Sequence, residues 1–214
     1  MQFLNDICKK CYNNTVNIRT YRKINIKDEK FAIYQNFNLI HDEDPKHVLV
    51  FGADHVYRMD PEQMFNFHRD HQAGVTVAAI RVKRNEATEF GCIELDNDGI
   101  TIKAFHEKPK DPPGIPGNED YTLVSMGNYI FKRDEMEDAL ILDSEDIESK
   151  HDLGTNIIPM MTAMGRAFAY DFANNHVPGE TDRDRGYWRD DQAMARARQS
   201  VNNLFARHQT QPEI

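Results

Sequence analysis

The sequence predicts an α/β domain with helices flanking a mostly parallel sheet, and three of its features lead to that expectation. The first is a short apolar, β-branched run, His47-Val48-Leu49-Val50-Phe51-Gly52, which reads as a buried strand ending in a turn. The second is Asp60-Pro61-Glu62-Gln63, where helix-start signals agree: Asp60 caps, Pro61 suits the first helical position and Gln63 reaches back. The third is Val75-Thr76-Val77-Ala78-Ala79-Ile80-Arg81-Val82, a second strand. Strand, helix and strand in that order imply a right-handed crossover in a mostly parallel sheet.

The remaining elements follow in order. Residues 1–27 are rich in Asn, Lys and Arg and lack periodicity, so they read as a loosely packed lead. Residues 28–41 place Ile33, Phe37 and Ile40 at helical spacing, predicting a helix with one buried face. The helix from Pro61 is expected to run to Ala73 and stop at Gly74. Cys92–Leu95 and Ile100–Phe105 flank Asn97-Asp98-Gly99, a hairpin signal. Residues 109–118 are Pro/Gly-rich and exclude a helix or a central strand. Val124–Phe131 reads as a strand, Asp134–Leu142 as a helix, Leu153–Met164 as a helix and Phe168–Phe172 as a strand. Residues 173–190 read as a long loop, where function tends to sit. Met194, Ala197, Val201, Leu204 and Phe205 give residues 191–207 an amphipathic helical pattern. The organisation expected is a divergent lead at 1–30, a domain at 31–190 and a divergent helical tail at 191–214.

Composition narrows the function. Of 214 residues, 40% are hydrophobic and 29% charged, a balance that supports a buried core. A net charge of -9 repels phosphate backbones and argues against nucleic acid as a partner. One local Lys or Arg can still dominate a pocket for a small phosphorylated ligand. Cys8, Cys11 and Cys92 are too few and too odd for a disulfide framework and fit a reducing cytoplasm. Cys8-x-x-Cys11 is either half of a zinc or redox site or, more plainly, two ordinary thiols. No basic start and no membrane-length apolar run is present, so an unanchored cytoplasmic protein without a membrane partner is expected.

Open α/β sheets bind ligands beyond the carboxyl ends of their strands. Asp54 falls there, where a carboxylate holds Mg²⁺ or merely caps a turn. Lys108 offers a cation for a phosphate monoester and Glu107 an acceptor for sugar hydroxyls; the plainer reading is a surface ion pair. Gly91 and Gly127 allow close backbone approach, or are simple bends. Trp188, beside Arg189 and Asp190, is a sugar or base platform or a packed core residue.

Together these residues form a more specific pattern. Phe51-Gly52-Ala53-Asp54-His55-Val56-Tyr57-Arg58-Met59-Asp60 resembles the signature of ADP-glucose pyrophosphorylases. Phe90-Gly91, Phe105-His106-Glu107-Lys108-Pro109 and Ser125-Met126-Gly127-Asn128-Tyr129-Ile130-Phe131 resemble further motifs of that family, in its order. So do His151-Asp152-Leu153-Gly154 with Ile157-Ile158-Pro159, and Arg185-Gly186-Tyr187-Trp188-Arg189-Asp190. The resemblance implies an incomplete glycosyltransferase-A-like nucleotidyltransferase domain over residues 31–190. It implies conversion of ATP and glucose 1-phosphate to ADP-glucose and pyrophosphate, in glycogen biosynthesis. It also implies that Asp54 and Asp190 share Mg²⁺, that Lys108 binds the sugar phosphate, and that Glu107, Ser125 and Gly91 contact glucose. Catalysis would then be in-line positioning with charge neutralisation, led by Asp54, Lys108 and Asp190 and without a general base.

The chain departs from the family at both ends. The family's Gly-rich nucleotide loop, whose amides cradle phosphates, has no counterpart, because no glycine precedes Gly52. After Asp190 the chain continues Asp191-Gln192-Ala193 instead of the family's Val-Gly-Thr. Weak or no adenylyltransferase activity of this chain alone is therefore expected, with residual glucose 1-phosphate binding. A noncatalytic sugar-phosphate-binding or regulatory subunit, as an oligomer or paired with a full-length homologue, is the alternative reading.

Overall fold

The computed structural model describes residues 33, 37–52, 55–181 and 187–190. In chain order the elements are α1 (Phe37–Glu43), β1 (His47–Phe51), β2 (His55–Tyr57), α2 (Pro61–Asp70), β3 (Val75–Lys83), β4 (Gly91–Leu95), β5 (Ile102–Glu107) and β6 (Tyr121–Lys132). They continue with α3 (Arg133–Glu145), a π-helical turn (Leu153–Ile157), α4 (Ile158–Ala163), β7 (Ala167–Asp171) and β8 (Trp188–Asp190). The expected lead at 1–30, the tail at 191–214, Cys8, Cys11 and Asp54 lie outside the described residues.

The α/β class holds, but the sheet is mixed. β1 and β3 do point the same way, as a crossover through α2 requires, yet they are not neighbours. β6 runs antiparallel between them, pairing Val48 and Val75 on its opposite edges at Phe131. Among the described residues, the ladder of β3 with β7 is the only parallel one in the 6-stranded sheet. The sequence-level expectation of a mostly parallel sheet therefore captures strand direction and misses the inserted strand. Pairing between strands about fifty residues apart (β3 with β6) or about eighty apart (β1 with β6) leaves no local signal.

The local signals are realised. Asp60 accepts the Glu62 amide at 3.0 Å, and the Gln63 side chain reaches back to the Asp60 carboxylate at 3.0 Å. α2 ends at Asp70, short of Ala73, and the left-handed residue beyond it is Gln72 (φ 49°), so Gly74 is not its cap. Gly74 instead leaves room for the Glu135 side chain, which any β-carbon would meet. β4 and β5 form the expected hairpin, closed by the Gly99 amide on Asp96 at 3.0 Å with Gly99 at φ 75°.

Apolar side chains cover both faces of the sheet. Val75, Val77, Ala79, Tyr129 and Phe131 face a core closed by Met136, Ala139 and Leu140 of α3 and Ile158 and Met161 of α4. Ala78, Met126 and Ile130 point the other way, into a smaller core with Met59, Met64, Tyr170 and Phe172. Alternation along β3 and β6 dictates this three-layer arrangement, since successive side chains in a strand face opposite sides. The segment 173–190, expected as a loop, contains a strand: β8 pairs antiparallel with β2 in a separate ribbon.

Candidate functional site

β6 creates the site by breaking its own ladder. Against β3, Val77 pairs with Tyr129 but Ala79 pairs with Ser125, so β6 carries extra residues between them. Gly127 at φ 73° makes this bulge, a conformation that a side chain would strain. On the opposite edge, β4 pairs β6 at Leu123 and Val124, while β1 pairs it only from Asn128 onward. Residues 125–127 of β6 thus lie between the ends of these two ladders. The edge opens at the carboxyl end of β1, where α/β sheets place ligands.

Polar side chains converge on this opening. The Ser125 hydroxyl donates to the Tyr129 hydroxyl at 3.2 Å and accepts the Gly127 amide at 3.2 Å. Gly91 opens β4 directly opposite Glu107, the last residue of β5. A β-carbon at Gly91 would sit 2.6 Å from the Phe105 ring and 3.0 Å from Glu107 Oε2. Gly154 approaches the same carboxylate: its β-carbon would lie 3.0 Å from Glu107 Oε2 and 3.6 Å from Asp152 Oδ1. Two glycines thus make room for the Glu107 carboxylate to pack against their backbones, and Asp152 stands close by. Asp152 also caps the π-helical turn, accepting the Thr155 amide at 2.9 Å.

The electrostatics follow from this crowding. Burial pushes the Glu107 carboxyl above its ordinary range; Lys108 partly opposes the shift and Asp152 adds to it. Burial likewise raises the Tyr129 phenol, against its bond to Ser125, with Glu107 and Asp152 adding further. Lys108 holds φ 50°, unusual outside glycine, while its amide donates to Phe90 at 3.1 Å. That strain is worth about 1 kcal/mol. The Lys108 ammonium is 4.0 Å from Glu107 Oε1 and mostly exposed, so it projects a positive charge at the rim.

The ribbon supplies the second half. His55 pairs with Asp190 and Tyr57 with Trp188, which lays the chain just after Asp54 beside Asp190. The ribbon is tethered from below. Asn175 accepts the Asp60 amide and donates to the Asp60 carbonyl, each at 2.8 Å, and Arg58 donates to the Pro178 carbonyl at 2.9 Å. Trp188 packs edge-on against Phe90 at 5.8 Å between ring centroids and joins the smaller core. Cys92 is wholly buried, and burial pushes its thiol up to about 11, which leaves it inert.

Of the residues singled out in the sequence, Gly91, Glu107, Lys108 and Ser125 therefore share one opening, and the backbone of Asp190 borders the segment that follows Asp54. Tyr129, Asp152 and Gly154 join them without having been assigned roles. All three stand in the motifs quoted from the sequence, and Asp152 also directly precedes the helix expected from Leu153, where an Asp caps.

A nucleotidyl transferase family model matches residues 2–191. The chain belongs to the nucleotidyl transferase family. Within it, the chain is 60% identical over 159 residues to a glucose-1-phosphate adenylyltransferase of Mycobacterium ulcerans. It is 59% identical over 159 residues to the enzyme of that name from Mycobacterium tuberculosis, and 58% to that of Mycolicibacterium smegmatis. Each match covers 74% of this chain and 39% of the relative, so the nucleotidyl transferase chain spans about two fifths of the proteins it resembles. Among the described residues, no helix is long and apolar enough to cross a membrane.

Proposed function

We propose that the chain is the sugar-phosphate side of a glucose-1-phosphate adenylyltransferase, which joins ATP and glucose 1-phosphate to give ADP-glucose and pyrophosphate in glycogen biosynthesis. The observation that supports this best is the opening in the β6 edge, where Glu107, Ser125, Gly91 and Lys108 meet beside Asp152. Paired carboxylates and hydroxyls suit a polyol, and an exposed lysine suits its phosphate. In this reading Glu107, Ser125 and the Gly91 backbone hold glucose, while Lys108 holds the phosphate. The sugar phosphate is itself the nucleophile, so positioning carries the reaction and no general base is needed.

Asp54 and Asp190 would hold Mg²⁺. Hard carboxylate oxygens suit that ion, and the His55–Asp190 pairing keeps the two segments adjacent. Mg²⁺ would neutralise charge on the transferring phosphoryl group. The residues of this chain bind and orient the sugar phosphate toward it. The same reading takes residues 31–190 as the working unit and the cytoplasm as its place.

A second reading is a sugar-phosphate-binding or regulatory subunit with little turnover of its own, paired with a full-length homologue. It is supported by Glu107, Ser125, Gly91 and Lys108, which need no nucleotide cradle to hold a sugar phosphate. A coupled pyrophosphate-release assay with ATP, Mg²⁺ and glucose 1-phosphate separates the two. Turnover that vanishes in Asp54→Asn and Asp190→Asn supports the enzyme. Binding of glucose 1-phosphate without pyrophosphate release supports the subunit.

A further inference from the structure

The buried face of α3 reads Met136, Ala139, Leu140, Asp143, and the last of these breaks the apolar pattern. A carboxylate at a core-facing position is costly unless it is paired. Asp143 is only 4% exposed, and both its oxygens are engaged. Ser149 donates its hydroxyl to Oδ1, and the His151 ring meets Oδ2 through Nδ1 at 2.8 Å. The His151 amide in turn donates to the Ser149 hydroxyl at 2.9 Å. These bonds hold His151 at φ 52°, a left-handed conformation uncommon outside glycine. The next residue is Asp152, which returns to extended backbone and caps the turn that carries Gly154 to Glu107.

We propose that the Asp143–His151 pair is a positioning device: it forces the left-handed step that sets Asp152 and Gly154 against Glu107, and so fixes the two carboxylates that face the sugar. This rests on the substrate reading above. An ordinary loop pin would need neither a buried charge nor a strained residue directly before the site carboxylate. Unpaired strain of this kind persists only where its surroundings enforce it.

Two substitutions isolate the device. His151→Gly keeps the backbone freedom and removes the donor; His151→Asn tolerates the left-handed conformation and restores a donor near the position of Nδ1. Carboxyl ¹³C NMR of the 214-residue chain reads the Glu107 titration without any ligand. Calorimetry with glucose 1-phosphate reads the consequence. The proposal expects His151→Gly to lower the Glu107 midpoint and weaken glucose 1-phosphate at least ten-fold, with His151→Asn within about twofold of wild type. A His151→Gly protein that melts earlier but keeps both the Glu107 midpoint and the sugar-phosphate affinity would overturn it in favour of a plain loop anchor. Wild-type protein that binds no glucose 1-phosphate would overturn the substrate reading instead, and the Glu107 midpoint would still decide whether His151 positions Asp152.

Discussion

The two halves of the site are built in different ways. The half proposed to hold the sugar, around Glu107, Ser125 and Asp152, rests on strands whose same face packs into the larger core through Phe105, Leu123 and Tyr129. The ribbon half, β2 with β8, has three residue pairs and is held from outside, through Asn175, Arg58 and the cap of α2. Burial sets the geometry of the first; in the second a few hydrogen bonds act beside the packing of Tyr57 and Trp188 on the smaller core. A site assembled this way keeps the proposed sugar pocket rigid and leaves Asp190, proposed to hold the metal, on the short ribbon. Elements with few buried contacts are the ones that open locally.

If the halves are separable, damage to one should spare the other. The largest effect expected is from Asn175→Ala. It leaves the Asp60 amide and carbonyl and the Tyr170 hydroxyl without their partner in a site only 3% exposed. The cost is about 3 kcal/mol. Hydrogen exchange should accelerate at 55–57 and 188–190, with glucose 1-phosphate affinity unchanged within about twofold. Equal acceleration in β4 and β5 would mean that the halves are one cooperative unit.

Gly91→Ala is the reciprocal test. Its β-carbon would lie 2.6 Å from the Phe105 ring, itself buried in the larger core, so the ring must move. Overpacking of this kind costs about 2 kcal/mol. Sugar-phosphate binding should weaken while exchange in the ribbon stays as in wild type. An unchanged melting temperature with unchanged binding would show that the wall of the opening is softer than described.

The smallest effect lies under β1, on the α2 side. His68 is wholly buried between His47 at 3.2 Å and Thr76 at 2.9 Å. Burial first, then His47 and Arg166, push its imidazole down to about 3. The unfolded chain takes up that proton near 6.5, so the stability is fully present above that pH and drains away as pH falls toward 3. The loss reaches about 1.4 kcal/mol by pH 5.5. Melting temperatures from pH 7.5 to 5.5 should fall in wild type and fall less in His68→Gln. Parallel slopes in the two proteins would assign the acid sensitivity elsewhere.

Much of this was legible in the sequence, for physical reasons that differ by residue. The start of α2 and the β4–β5 hairpin could be read because caps and turns are local: Asp60, Pro61, Gln63 and Gly99 act within a few residues of themselves. The insertion of β6 between β1 and β3, and the ribbon joining His55 to Asp190, could not. Ladder bonds between residues 135 apart carry no local pattern, and three-residue strands are too short for alternation to register. Gly91, Glu107, Lys108 and Ser125 were legible through motifs. Tyr129 and Asp152 share those motifs but gain their meaning only when the bulge at Gly127 and the left-handed step at His151 turn them toward Glu107.

The central claim is that the break in the β6 edge is a sugar-phosphate site organised by Glu107. Calorimetric titration of glucose 1-phosphate into wild type and Glu107→Gln tests it most directly, with free glucose and inorganic phosphate as controls. Saturable binding in wild type, weakened at least ten-fold in Glu107→Gln at an unchanged melting temperature, is the result predicted. Equal affinity in the two proteins would contradict the claim.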